Sequence, residues 1–366
     1  MHRLVTYVFL LMTVFSSTEL RAGQSDTIRV TRISRVTGNS INGERFPNPN
    51  NTAARFDLGG TDLGIAWRMG DGKVGLWFGD SYGTEFFPVP EGGPGKAGNW
   101  RSNLLAFSSD SGLEDGLHID DMFSSPGKKG AAEVIFSPHT TDGKGSHTTI
   151  PTAAIHAAGK EYVQYMDVRK WLGPGRWITN FSGLYTSANL GRTWERVRNF
   201  TFNAGSNFAQ GGFAVKGDYI YTLATPAGRW GRIRLARVKQ KNFASKAHWA
   251  YWNKEKGWVT NREDEATDLF DAPAGELSVI WHPHLRCWLL TYLNEKRHAL
   301  VLRRASALTG PWSAEQVLAD ARRYPGLYGA FIHPQLDKHG FYFLMSMWKP
   351  YNVFLMRAEL RAVPKS

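Results

Sequence analysis

Five times along the chain, an apolar run of strand length, a tight turn and a second apolar run are followed some way on by a third. The first repeat runs Thr61–Trp67, turns at Gly70-Asp71-Gly72-Lys73 and returns through Val74–Asp80, with Leu104–Ser108 behind it. The second is Thr152–Ala157, a turn at Gly159-Lys160, Tyr162–Asp167 and then Leu184–Ser187. The third is Gly212–Val215, a turn at Gly217-Asp218, Tyr219–Ala224 and Ile233–Val238. Leu277–Trp281, a turn around His284, Cys287–Leu293 and Leu300–Arg304 make the fourth. The fifth is Gly329–Ile332, a turn at Asp337-Lys338-His339-Gly340, Phe341–Trp348 and Val353–Leu360.

Gly and Asx turns between β-rich runs are the local signature of hairpins. Their recurrence at a spacing of several tens of residues predicts an all-β chain, a single five-bladed β-propeller. A sandwich of similar strand count would not space its strands as meander triplets. The left-over segment Ile28–Ile33 suits the outer strand that closes the last blade and removes an exposed edge. Ser187-Ala188-Asn189-Leu190-Gly191-Arg192-Thr193-Trp194 nearly matches an Asp-box, a folding turn of propellers, with Asn189 where Asp is usual.

Composition fits one large β unit: 38 glycines, 13% aromatics and no Pro/Ser-rich linker. The lone cysteine, Cys287, cannot form an internal disulfide and reads as a buried thiol. Met1-His2-Arg3, the apolar Leu4–Phe15 and the small or polar residues up to Ala22 read as a signal peptide over 1–22, so residues 23–366 form the exported domain, secreted or periplasmic. No later stretch is long and apolar enough to span a membrane. A formal charge of +12 suits an anionic environment, but the Lys and Arg are scattered and no nucleic-acid motif is present.

In a propeller the inner strand ends meet at one mouth. The start of the first strand and the end of the second share a rim, so turn position gives the residues there. Asp62 and Asp80 are equidistant from the first turn and are expected face to face, with Cβ atoms about 4.5–5.5 Å apart. Like charges so placed are destabilising unless something rewards them, and a carboxylate pair with split pKa values is what glycoside hydrolysis needs. Turn capping, or pairing with Arg68 or Arg101, is the structural alternative.

The same rule sets Thr152 against Asp167, Glu276 near Tyr292 and Gly329 near Trp348, making Asp167 and Glu276 further candidate carboxylates. Trp177, Trp348 and Tyr351 are candidates for stacking on sugar faces. His333 lies on the fifth inner strand within reach of the mouth. His282 and His284 lack further ligands nearby and read as a surface turn, so no metal or cofactor is expected.

Taken in order, Thr61-Asp62-Leu63-Gly64, Phe78-Gly79-Asp80, Arg101-Ser102-Asn103, Ile150-Pro151-Thr152, Gly275-Glu276-Leu277-Ser278 and Tyr328-Gly329-Ala330 resemble the landmarks of the endo-D-arabinanases of glycoside hydrolase family 183. That family was first catalogued as a domain of unknown function. The resemblance spans nearly the whole chain after the signal segment. It implies a five-bladed propeller that cleaves internal α-D-arabinofuranosyl linkages in cell-wall arabinan, with its acidic pair at Asp62 and Asp80. Arg101 and Asn103, inside the third landmark, are candidate substrate-binding residues. The competing function is a carbohydrate-binding propeller without turnover. A sialidase would need an arginine cluster and more Asp-boxes.

Overall fold

A computed structural model describes residues 27–94 and 98–361; the expected signal peptide lies outside them. Five antiparallel sheets form, each a meander of strands consecutive in sequence except the last. Their innermost strands are Leu63–Arg68, Thr148–Ala157, Gln210–Lys216, Leu277–His282 and Leu327–Asp337. Each packs against the next, and the fifth against the first, so the blades close a ring around a central axis. Thr27–Arg35 pairs antiparallel with Asn352–Arg361 as the outer strand of the fifth blade, the closure expected from the sequence. Among the described residues no helix is long and apolar enough to cross a membrane.

The core lies between adjacent blades, where inward residues of neighbouring sheets interdigitate. Trp77, fully buried, stacks on Trp67 at 6.4 Å and meets the edge of Trp194 at 5.1 Å. Trp194 belongs to the near-Asp-box, where Asn189 does the work of the usual aspartate. Its Oδ1 accepts from the Thr193 N–H at 3.0 Å, and its Nδ2 adds a bond to Thr193 Oγ1 at 2.9 Å. Glu161, buried in the second blade, accepts from Trp67 Nε1 at 2.8 Å and the Gly70 N–H at 2.9 Å and ties the first blade to the second. His282 is no surface turn: it is fully buried, with Nε2 3.1 Å from the Gly340 carbonyl, and links the fourth blade to the fifth. Cys287 is half-buried, and burial raises its thiol pKa.

Register departs from the simple hairpin count wherever a bulge intervenes. In the first blade Leu63 pairs with Phe78 but Ile65 with Trp77, and the extra residue falls at Gly64. Leu63 and Gly64 both take positive φ, 72° and 86°, and the Leu63 N–H leaves the ladder to bond Ser346 Oγ of the fifth blade at 2.8 Å. Asp62 therefore faces Gly79, whose N–H donates to the Asp62 carbonyl at 3.2 Å, and sits diagonally to Asp80. Asp167 faces Thr149 and not Thr152: the hairpin turns at Ala158-Gly159, one residue earlier than the count assumes, and a bulge between Pro151 and Ala153 adds one further step. Glu276 is one step off Tyr292: its carbonyl accepts from the Leu293 N–H at 3.1 Å. Trp348 bonds back to Gly326, well short of Gly329.

Candidate active site

A cavity of about 670 Å³ opens at the end of the axis where the inner strands begin. A smaller one of about 290 Å³ lies at the opposite end, and Thr152, Gly211, Leu277 and Phe331 line both and narrow the axis between them. Asp62, Asp80, Glu276, Trp177, Trp348 and Tyr351 all reach the wall of the larger cavity.

The bulge at Gly64 turns Asp62 toward the cavity, as bulges near sites commonly do. Tyr328 Oη donates to its Oδ2 at 3.0 Å and Tyr351 Oη at 3.4 Å, while Oδ1 is buried and has no partner among the described residues. Burial first, and the charge of Asp80 second, raise the Asp62 pKa to about 8, so the group is mostly protonated at neutral pH. A Cβ on Gly79 would collide with Asp62 Oδ1. Gly79→Ala should therefore displace the carboxyl, and in a positioned site such a shift costs about a hundredfold in rate. The check is the rate of glycan hydrolysis, with circular dichroism to confirm that the variant folds.

Asp80, 6% exposed, is held differently. Trp100 Nε1 donates to its Oδ1 at 2.9 Å and Thr148 Oγ1 at 2.5 Å; among the described residues no donor reaches Oδ2. Burial raises this pKa as well, but the two donors and the nearby His147 and His139 pull it back. Trp100 is itself clamped, stacked on His139 at 3.8 Å and on Tyr82 at 6.3 Å. Tyr82 meets the edge of Tyr351 at 5.9 Å, so one aromatic layer carries a donor to each acid. Two carboxyl groups in one wall, one kept neutral and the other held by two donors that favour its charged form, are equipped to give and to take a proton.

Glu276 extends the acidic wall. Its Oε1 accepts from Arg229 at 2.8 Å and 3.1 Å, and Oε2 is buried without a partner among the described residues. Arg229 also reaches Glu295 at 3.7 Å and lies over the Tyr328 ring at 5.1 Å. Its guanidinium is thus committed to protein groups.

A family model for a domain of unknown function, DUF4185, matches residues 47–357. The chain belongs to the DUF4185 family. This is the family its sequence landmarks resemble. Its relatives include notoamide biosynthesis cluster protein J of Aspergillus sp. (strain MF297-2), 28% identical over 316 residues that span 80% of this chain and 81% of the relative. A crystal structure from Bacteroides ovatus ATCC 8483 is similar at a TM-score of 0.59 and 13% identity, covering 84% of this chain and 87% of that one. The family 117 glycoside hydrolase Zg3597 of Zobellia galactanivorans is similar at 0.50 and 11%, covering 93% and 92%. At such identities the structural likeness shows the fold.

Within this DUF4185 chain, four residues expected to bind substrate lie outside the cavity wall. Arg101 is buried and bonds the carbonyls of Ala131 at 2.8 Å and Asp57 at 2.6 Å. Asn103, also buried, cross-links Ile135 and Thr149 through their carbonyls at 2.8 Å and 3.0 Å. Both cost too much to bury unpaired and are spent on holding loops beside the first blade. Asp167, opposite Thr149, accepts from Asn180 at 2.8 Å. His333 is fully buried away from the mouth; burial pushes its pKa down to about 3, and its Nδ1 accepts from the Gln335 N–H.

Arg229, Tyr328, Trp100 and Thr148 also belong to the site, and no turn position points to them. Tyr328 falls inside a family landmark and Trp100 directly before one, the local signal that marks them in the sequence. Arg229 sits in a loop with no local pattern.

Proposed function

We propose that this protein is an exported, endo-acting glycoside hydrolase that cleaves internal α-D-arabinofuranosyl linkages of cell-wall arabinan. The observation that carries the reading is the contrast between Asp62, neutral near pH 7, and Asp80, bonded by two donors on one oxygen. Asp62 is the general acid: its proton passes to the glycosidic oxygen as the bond to the anomeric carbon breaks. Asp80 supplies the negative partner, attacking that carbon or taking a proton from the attacking water.

The charge of the wall supports a neutral glycan. Among the described residues that line it, Asp62, Asp80, Glu276 and Glu295 stand against Arg229, whose guanidinium is already paired. A uronate or sialate would find no unpaired arginine or lysine among those residues, whereas sugar hydroxyls would find carboxylate acceptors.

The test is incubation of purified protein with arabinogalactan and with a polysaccharide rich in uronic acid. Release of oligosaccharides from the first and not the second is expected. Folded wild-type protein that releases none would overturn the reading. A second reading, a propeller that binds carbohydrate without turnover, is favoured by half-exposed indoles at the rim, which serve binding whether or not a bond is cleaved. It requires retained binding with no product.

A further inference from the structure

Trp171 and Trp348 are 43% and 44% exposed, yet both are held rigidly in the cavity wall. The strands Lys160–Gly173 and Arg176–Ser187 run to 14 and 12 residues, and the tip of their hairpin also lines the cavity. That tip is stapled to the third blade by the Arg229 N–H, which donates to the Gly175 carbonyl at 2.9 Å, and by Arg176 over the Trp230 ring at 5.4 Å. On it the Trp171 indole meets Trp177 edge to face at 5.4 Å. Trp348 is braced by Tyr328 at 6.3 Å and Tyr351 at 6.0 Å, and is backed by Gly92 and Gly93, where any Cβ would strike the indole. Fixed indoles that leave much of their surface in water provide flat apolar area at little ordering cost when a ligand covers them.

Their places in the ring give them a direction. The first blade, which carries both acids, has the second blade on one side and the fifth on the other. Trp171 stands on the second and Trp348 on the fifth.

We propose that Trp171 and Trp348 are the stacking platforms of two sugar subsites that bracket the acid pair, so that a neutral glycan chain lies across the first blade from the second blade to the fifth. This rests on the proposed hydrolase reading and adds the path of the chain. Sugars held on both sides of the cleaved bond give internal cleavage.

The experiment uses a D-arabinan oligosaccharide labelled at one end and long enough to cover both platforms. The cleaved bond is mapped for wild type, Trp171→Ala and Trp348→Ala. Removing one platform lets the chain slide toward the other, so the two variants move the cleavage position in opposite directions relative to the label. Each also raises KM by about tenfold, more than kcat falls, the size expected for one lost aromatic contact. Trp171→Phe restores part of the wild-type frame. Unchanged frames, or shifts in the same direction, would overturn the proposal. A wild type that cleaves nothing sinks the hydrolase reading alone. In that event, calorimetric binding of the same oligosaccharide decides on the platforms: a loss of about tenfold in either Trp→Ala variant supports them, and wild-type affinity in both overturns them.

Discussion

Asp80→Asn is expected to slow arabinan cleavage by about 10²- to 10⁴-fold, the range contributed by a general acid or base, while leaving the fold intact. The amide oxygen can still accept from Trp100 and Thr148, which approach the same Oδ1 at 2.9 Å and 2.5 Å, so the local packing survives. What is lost is the negative charge. Asp62→Asn should slow the natural reaction by a comparable factor, because the departing sugar oxygen then has no proton donor. The two variants separate on an oligoarabinoside with a dinitrophenyl leaving group, which departs as an anion without help. Asp62→Asn should recover most of its rate on that compound and Asp80→Asn should not. Recovery by Asp80→Asn instead would reverse the roles, and recovery by neither would remove Asp62 as the acid. Thermal midpoints measured in parallel exclude misfolding as the cause.

The propeller was legible because its information is local. Turn residues and apolar runs lie within a few tens of residues of one another, and the closing strand near Ile28 was a β-rich segment left over ahead of the first hairpin. Positions at the rim were harder, because one extra residue in a strand changes every partner beyond it. Gly64, inside an otherwise apolar run, was a visible bulge signal, and it moved Asp62 from opposite Asp80 to opposite Gly79. Asp62 and Asp80 still share a wall, because both strands end at that rim and a one-residue shift does not change the end at which they finish.

Arg101 and Asn103 were misplaced for another reason. A polar residue inside a recognisable motif can be there to satisfy buried backbone, and only its burial distinguishes that from contact with substrate. Arg229 was invisible because its significance lies in what three separate loops bring to it: the Gly175 carbonyl, Glu276 and Glu295.

The Asp62 environment has a second measurable consequence, in the dependence of stability on pH. In the unfolded chain the group titrates near 3.8, and in the folded protein near 8. Between those values the folded state holds a proton that the unfolded state has released. The stability this group contributes is therefore fully present below about pH 4 and is lost as pH rises through about 8. Over that window its slope approaches about −1.4 kcal/mol per pH unit. Asp80 and Asp167, raised by burial, act in the same direction, while Asp57, Glu315 and Asp337, lowered by their hydrogen bonds and nearby charges, act in the other. Wild type alone thus reports a sum, and the difference from Asp62→Asn isolates the one group. The amide has no charge to bury beside Asp80, and its oxygen can still accept from Tyr328 and Tyr351. Urea titrations at pH 4, 6 and 8 should show the variant gaining on wild type at each step and exceeding it at pH 8. Parallel profiles would mean that Asp62 is ionised throughout that range, and a general acid that is already ionised has no proton to give.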